Sequence, residues 1–160
     1  MLLVQGNLAS SYQRLGRLDE ALCIRRDIYD GYVKLKGKEG DRTLSAAINY
    51  ASTLMDLGDR GDLKRFKEAK ALMCKTMPVA RRVFGESHEN MLMMRWLFTE
   101  ALYKADGGTL GHLREAVATF EEIERTARRV LGGAHPLTKI IERNLSIVQD
   151  HIHRRGLSKK

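Results

Sequence analysis

Residues 7–21 read N-L-A-S-S-Y-Q-R-L-G-R-L-D-E-A, and this stretch decides the fold of the chain. Its first half carries apolar residues at i, i+4 and i+7, the spacing of one face of an α-helix: Leu8, Tyr12 and Leu15. Gly16 follows, and glycine accepts the positive φ that ends a helix. A second apolar pattern begins at once and includes Ala21. The stretch therefore predicts two helices joined by a tight turn, with Leu8, Tyr12 and Leu15 in the core.

The same pattern returns along the chain. Alanines in comparable settings recur 48 and 47 residues apart, at Ala21, Ala69 and Ala116. Each is followed 16 residues later by a glycine that ends the second apolar pattern, at Gly37, Gly85 and Gly132. The opening N-L-A also recurs, as N-Y-A from Asn49 and N-L-S from Asn144, whereas L-F-T from Leu97 takes its place in the third copy. Internal repeats of this length are typical of solenoids, in which stacked units share one continuous core.

The residues that define the repeat resemble a known family. The pattern N-L-A-x-x-Y-x-x-x-G-x-L-x-E-A over residues 7–21, together with L-G-G-A-H-P over residues 131–136, resembles the tetratricopeptide repeats of kinesin light chains. The resemblance covers residues 7–149 and implies an all-α, right-handed solenoid of antiparallel helix pairs, with three and a half repeats. We expect a repeat domain over 1–153, with repeats at 1–40, 41–87 and 88–134, a final helix at 135–153, and a basic tail at 154–160.

Three features depart from the family pattern. The second and third copies are longer by 6 and 5 residues, inserted as D-R-G-D-L-K-R-F and A-D-G-G-T-L-G-H-L at the turn inside each helix pair. We expect Gly58 to provide that turn in the second copy, as Gly16 does in the first. Arg25 stands where the family usually has an aromatic residue. The heptad region that joins kinesin light chains to the motor is absent from this sequence.

The first helix of each pair should line the concave face of such a solenoid. The helical register predicts a peptide-binding groove there, formed by Asn7, Arg14, Asn49, Ser52, Trp96, Glu100, Lys104 and Asn144. The resemblance implies that the recurring asparagines, Asn7, Asn49 and Asn144, face the bound peptide. An amide suits this task because it both donates and accepts hydrogen bonds. The alternative is that these asparagines tie neighbouring repeats together.

Trp96 is the only tryptophan of the chain. A partly exposed aromatic ring is a good interface anchor, because it buries a large area with little loss of conformational freedom. The alternative is that Trp96 packs between helices. The predicted groove has mixed charges, since Arg14 and Lys104 face Asp56 and Glu100, and this favours an internal peptide segment over a free C-terminus.

Charge and composition limit the possible partners and the cellular location of the protein. The 160 residues carry a net charge of +8, with arginines and lysines concentrated in the second helices and interleaved with acidic residues. This pattern favours a solvated outer face, and its alternative is a surface that binds RNA or another polyanion. No run of about 18 apolar residues predicts a membrane span, and the first residues lack the pattern of a signal peptide. Cys23 and Cys74 are predicted to be reduced, so we expect a cytoplasmic protein.

The sequence carries no motif of a known catalytic site. It lacks the G-x-S-x-G elbow, the phosphate-binding G-x-x-x-x-G-K-S/T and the zinc-binding H-E-x-x-H. The five histidines are scattered, so no metal or cofactor is predicted. We therefore predict a non-catalytic module that binds a protein or peptide partner as an adaptor or scaffold. Two alternatives are a basic repeat surface for polyanions and part of a longer array whose binding surface needs further repeats.

Overall fold

The computed structural model describes residues 1–105 and 107–157. These residues form seven α-helices and no strand, which confirms the all-α prediction. The helices are α1 (Leu2–Arg14), α2 (Leu18–Lys36), α3 (Asp41–Asp59), α4 (Lys64–Phe84), α5 (Glu89–Ala105), α6 (Leu110–Val130) and α7 (Pro136–Leu157). Each helix packs on the next one along the chain, and α3 also contacts α5. The odd-numbered helices are thus the first helices of the repeats, and α2, α4 and α6 are the second.

The recurring alanines lie in the core of the protein. Ala21, Ala69 and Ala116 are all fully buried, each on a second helix. Because protein cores are close-packed, a side chain larger than alanine at these positions would displace its neighbours. The alanine spacing read from the sequence therefore marks buried positions on the second helices.

Ala116→Leu should destabilise the fold by overpacking. We expect the free energy of unfolding to fall by about 1–3 kcal/mol, because a close-packed core cannot accept three further carbon atoms in place. Urea unfolding followed by circular dichroism measures this change. The matched control is Ala118→Leu, because Ala118 is exposed on the same helix and should change stability by no more than about 0.5 kcal/mol. Equal effects of the two substitutions would contradict the packing described here.

Two kinds of side chain recur around the glycine that separates one repeat from the next. Three residues after the glycine, His88 and His135 each accept a backbone N–H bond at the start of the following helix, at 3.1 and 3.2 Å. Six residues after the glycine, Thr43 and Thr138 each donate to the carbonyl of that glycine, at 2.7 and 2.9 Å. These bonds satisfy backbone groups that helix ends leave free. They explain the histidine of the L-G-x-x-H-P pattern as a helix cap.

Gly58 does not make the turn that the sequence predicted. It lies inside α3, and a Cβ at this position would fall 2.5 Å from the Phe66 ring. The turn is made by Gly61, whose φ is +111°. The inserted residues of this copy let α3 continue past the expected end, so Gly58 serves the close approach of α3 and α4 instead.

The last helix is longer than expected. The sequence predicted a helix over 135–153 followed by a basic tail over 154–160, whereas α7 continues to Leu157, and residues 158–160 lie outside the described part of the chain. Residues 150–155 contain neither proline nor glycine, so nothing in the sequence stops the helix there. Arg155 also donates to the carbonyl of Gly108, which holds the last turn against the preceding repeat.

The first helix has an exposed apolar face that the sequence predicted to be buried. Leu15 is 72% exposed and Leu8 is exposed as well, and Ala9 is the buried residue of α1. The corresponding face of α3 lies against α2, as the contact between the Tyr29 and Tyr50 rings shows. Among the described residues no helix covers that face of α1. The prediction for Leu8 and Leu15 was therefore wrong, because their burial requires a helix stacked in front of α1.

Candidate functional site

The odd-numbered helices form one polar face, here called the odd-helix face. Side-chain hydrogen bonds join each of these helices to the next, and their partners lie 43 to 45 residues apart. The bonds run from Gln13 to Asp56 at 2.5 Å, from Asn90 to Ser45 at 3.5 Å, from Lys104 to Asp59 at 2.7 Å, and from Asn144 to Glu100 at 3.2 Å. The predicted groove residues therefore lie on helices that share this face.

Three of the predicted groove residues meet in one bonded cluster. Lys104 donates to Glu100 at 2.6 Å and to Asp59 at 2.7 Å, while Asn144 donates to the other oxygen of Glu100. Burial opposes the charge on Lys104, but the neighbouring carboxylates outweigh it and raise the pKa of Lys104. In this cluster Asn144 ties α7 to α5, which is the alternative role considered for the asparagines.

Asn7 and Asn49 have different surroundings from Asn144. Both are exposed, and neither side chain makes a hydrogen bond within the described residues. They line one cavity of about 430 Å³ between α1, α2 and α3, here called the α1–α3 cavity. Its other polar lining residues are Ser10, Arg25, Arg42 and Ser45, and its apolar lining includes Leu2, Leu3, Ile28 and Tyr32.

The remaining predicted residues lie outside both groups. Arg14 is exposed on α1, Ser52 is half-buried on α3, and neither lines the α1–α3 cavity. Trp96 is half-buried and packs against core residues on both sides of α5. Its indole N–H is buried without an acceptor within the described residues. Trp96 therefore packs between core residues while part of its side chain stays exposed.

Sequence reasoning missed the role of Arg25, which it noted only as a departure from the family. Arg25 is 8% exposed and donates from Nη2 to the hydroxyl of Ser10 at 2.9 Å. Its Nε is buried and has no acceptor among the described residues. The signal was present in the sequence, because Arg25 follows the buried Ala21 by four residues and precedes Tyr29 by four, on the apolar face of α2.

Several arginines of the second helices pair with carboxylates. Arg65 contacts Asp62 and Glu68, at 2.9 and 3.0 Å. Arg128 lies between Glu124 and Glu142, contacting the first at 2.6 Å. These pairs interleave the two signs of charge, as expected for a solvated outer face.

The described residues bring together no group of three or more histidine, cysteine or acidic side chains that could hold a metal ion. None of their helices combines the length and the apolar character needed to cross a membrane.

Comparisons with known proteins give a fold. No protein-family model and no curated protein sequence matches this chain. A solved structure of the nearly identical TPR-like (tetratricopeptide-like) repeats of a kinesin light chain from Podospora anserina matches with a TM-score of 0.76 and 19% identity, over 98% of this chain and 70% of that one. The structure of BtubC (BKLC) from P. vanneervenii matches with a TM-score of 0.57 and 14% identity, over 95% of this chain and 64% of that one. The chain therefore folds as a TPR-like solenoid of the kinesin light chain type.

Proposed function

We propose that the protein is a non-catalytic adaptor or scaffold that binds an extended peptide segment along the odd-helix face. A TPR-like repeat fold suggests a protein-interaction module. The observation that supports the groove is the pair Asn7 and Asn49, which recur one repeat apart, are exposed, and line the same cavity without side-chain partners. Two unpaired amides spaced along a groove can hold a peptide backbone by donating and accepting hydrogen bonds.

The charges along the face favour an internal segment of a partner chain. Lys104 is neutralised by its bonds to Glu100 and Asp59, so it is not free to hold a terminal carboxylate. Trp96, half-buried on α5, would contribute an apolar contact at the far end of the groove. The proposed peptide thus runs from the α1–α3 cavity toward α5.

Asn49→Ala and Trp96→Ala should each weaken peptide binding. A phage-displayed library of random peptides supplies the ligands, and the selected peptides are made synthetically. Loss of a good anchor costs at least about 2 kcal/mol, or some thirtyfold in Kd. Fluorescence polarisation of labelled peptides measures the change, and circular dichroism checks that the helices persist.

The matched control is Arg81→Ala on α4. Arg81 lies on α4, a second helix, and so outside the odd-helix face; its side chain is exposed and pairs with Glu86. Arg81→Ala should leave the Kd unchanged. If Arg81→Ala weakens binding as much as Asn49→Ala, the peptide does not use the proposed groove. If no peptide responds to Asn49→Ala or Trp96→Ala, the groove assignment is wrong.

Binding to polyanions should be weak. The net charge of +8 attracts nucleic acid at low salt, but arginines such as Arg65 and Arg128 already hold carboxylates. We expect a random single-stranded RNA to dissociate near physiological salt, with no difference between the wild type and a variant in which Arg125, Arg128 and Arg129 are glutamate. Filter binding over a salt series measures this. A tight complex at physiological salt that the triple variant abolishes would instead favour the polyanion function.

A further inference from the structure

The α1–α3 cavity contains a buried positive charge with no counter-charge among residues 1–105 and 107–157. Arg25 enters it from α2, and its guanidinium group offers five N–H donors, of which one bonds to Ser10. Ser10 cannot neutralise the charge, because it is a neutral hydroxyl that itself donates to the carbonyl of Gly6 at 3.1 Å. The Nε of Arg25 has no acceptor within the described residues. Buried charges in proteins are ordinarily paired, so this arrangement favours the binding of an anion.

The lining of the cavity strengthens this charge. None of the described aspartates and glutamates lines the cavity, and a second arginine, Arg42, does. Arg42 is exposed and has no ion pair in the part of the chain that the structure describes. Some other arginines of the protein are paired; Arg65 and Arg128, for example, each contact two carboxylates. The cavity is therefore a local positive site within a surface of mixed charge.

Chemistry and size identify the class of ligand. A guanidinium group presents its donors as a planar fork that matches the two oxygens of a carboxylate. The volume of about 430 Å³ lies in the range of small-ligand pockets, which span about 300–1,000 Å³. Leu3 and Ile28 add an apolar wall beside the charge. The site suits a carboxylate attached to a short apolar stem.

We propose that a carboxylate of the bound peptide enters the α1–α3 cavity and pairs with Arg25. Arg42 contacts it from the mouth of the cavity, and Asn7 and Asn49 hold the adjoining backbone. This inference rests on the proposed peptide function and specifies its ligand. The carboxylate comes from an aspartate or glutamate side chain, because the charges along the odd-helix face favour an internal segment, and the experiment tests this source against a chain end.

The test uses small probes with one carboxylate each. Acetyl-Glu-Leu-amide carries a side-chain carboxylate, acetyl-Gln-Leu carries a free terminal one, and acetyl-Gln-Leu-amide carries none. The readout is the Nε–H signal of Arg25 in ¹H–¹⁵N NMR spectra, assigned by its loss in Arg25→Gln. We expect acetyl-Glu-Leu-amide to shift this signal in a saturable way and the uncharged peptide to leave it in place. A larger response to acetyl-Gln-Leu would identify a chain terminus as the ligand. Equal responses to all three probes would overturn the proposal.

Variants separate binding from folding. Arg42→Gln changes an exposed side chain and should weaken the binding of acetyl-Glu-Leu-amide at least tenfold without altering the circular dichroism spectrum. Arg25→Gln should abolish binding, as followed by the backbone amide signals of Ser10 and Asn49. Arg26→Gln is the control, because Arg26 is exposed and does not line the cavity. Loss of binding in Arg26→Gln equal to that in Arg42→Gln would show a general charge effect and would overturn the proposal.

The two proposals can fail separately. If phage-selected peptides depend on Asn49 but bind equally well to Arg25→Gln, the groove binds peptide and the carboxylate assignment is wrong. If the glutamate probe depends on Arg25 and no selected peptide depends on Asn49, the cavity binds a carboxylate and the peptide function is wrong.

Discussion

Phe120→Ala should destabilise the protein more than any other change considered above. We expect the free energy of unfolding to fall by about 3–5 kcal/mol, since the substitution removes a fully buried ring and leaves a cavity. Phe120 meets Tyr103 of α5 edge to face, with ring centroids 6.5 Å apart and planes at 81°. It also belongs to the core cluster that includes Leu137 and Ile141 of α7. The ring thus belongs to a core that α5, α6 and α7 share.

Urea denaturation followed by circular dichroism at 222 nm measures this loss. Phe120→Leu is the control for the ring volume, and it should cost less than about 1.5 kcal/mol if the core repacks around the smaller side chain. A loss below about 1 kcal/mol for Phe120→Ala would mean that α6 does not pack between α5 and α7 as described, because such a small cost is typical of surface positions.

Leu57→Ala and Leu15→Ala should have very different effects, although the two leucines occupy the same place in successive repeats. Leu57 is 8% exposed and Leu15 is 72% exposed. We expect Leu57→Ala to lower the free energy of unfolding by about 2–5 kcal/mol, because it removes buried methyl groups. Leu15→Ala should stay within about 0.5 kcal/mol, since its side chain is already in water.

The same denaturation experiment serves both variants, and each is the control of the other. A large loss for Leu15→Ala would mean that the exposed face of α1 is covered in solution. Sedimentation equilibrium would then show whether a second copy covers it. A small loss for Leu57→Ala would contradict the packing of α3 in its own repeat.

The repeat is the part of the fold that the sequence predicts well. The interval from alanine to glycine marks the second helix of each repeat, and Ala21, Ala69 and Ala116 are all buried as that interval requires. Periodicity predicts the second helices because equivalent positions of successive repeats pack in the same way. Gly58 shows the limit of predicting turns from the repeat. The insertion in this copy moved the turn to Gly61, and a single sequence does not show which glycine adopts the positive φ.

The groove residues were less predictable for physical reasons. Position in a repeat places Asn7, Asn49 and Asn144 on equivalent turns, but it does not give their partners. Glu100 binds Asn144, whereas nothing in the described residues binds the other two side chains. The buried charge of Arg25 is likewise a property of three helices together, so its unpaired Nε could be found only once α1, α2 and α3 were assembled.

The slight burial of α1 has a consequence for local unfolding. Ala9 is the one residue of α1 that is buried, and α2 is the helix on which α1 mainly packs. Segments with few buried contacts open at a lower free energy than the whole domain, so the backbone amides of α1 should exchange with D₂O before those of α3 and α5. Asn7 and Ser10 form one wall of the α1–α3 cavity, and this wall exists only while α1 is docked. A ligand present at 100 times its Kd would hold α1 closed by about 2.7 kcal/mol, slowing exchange there about a hundredfold.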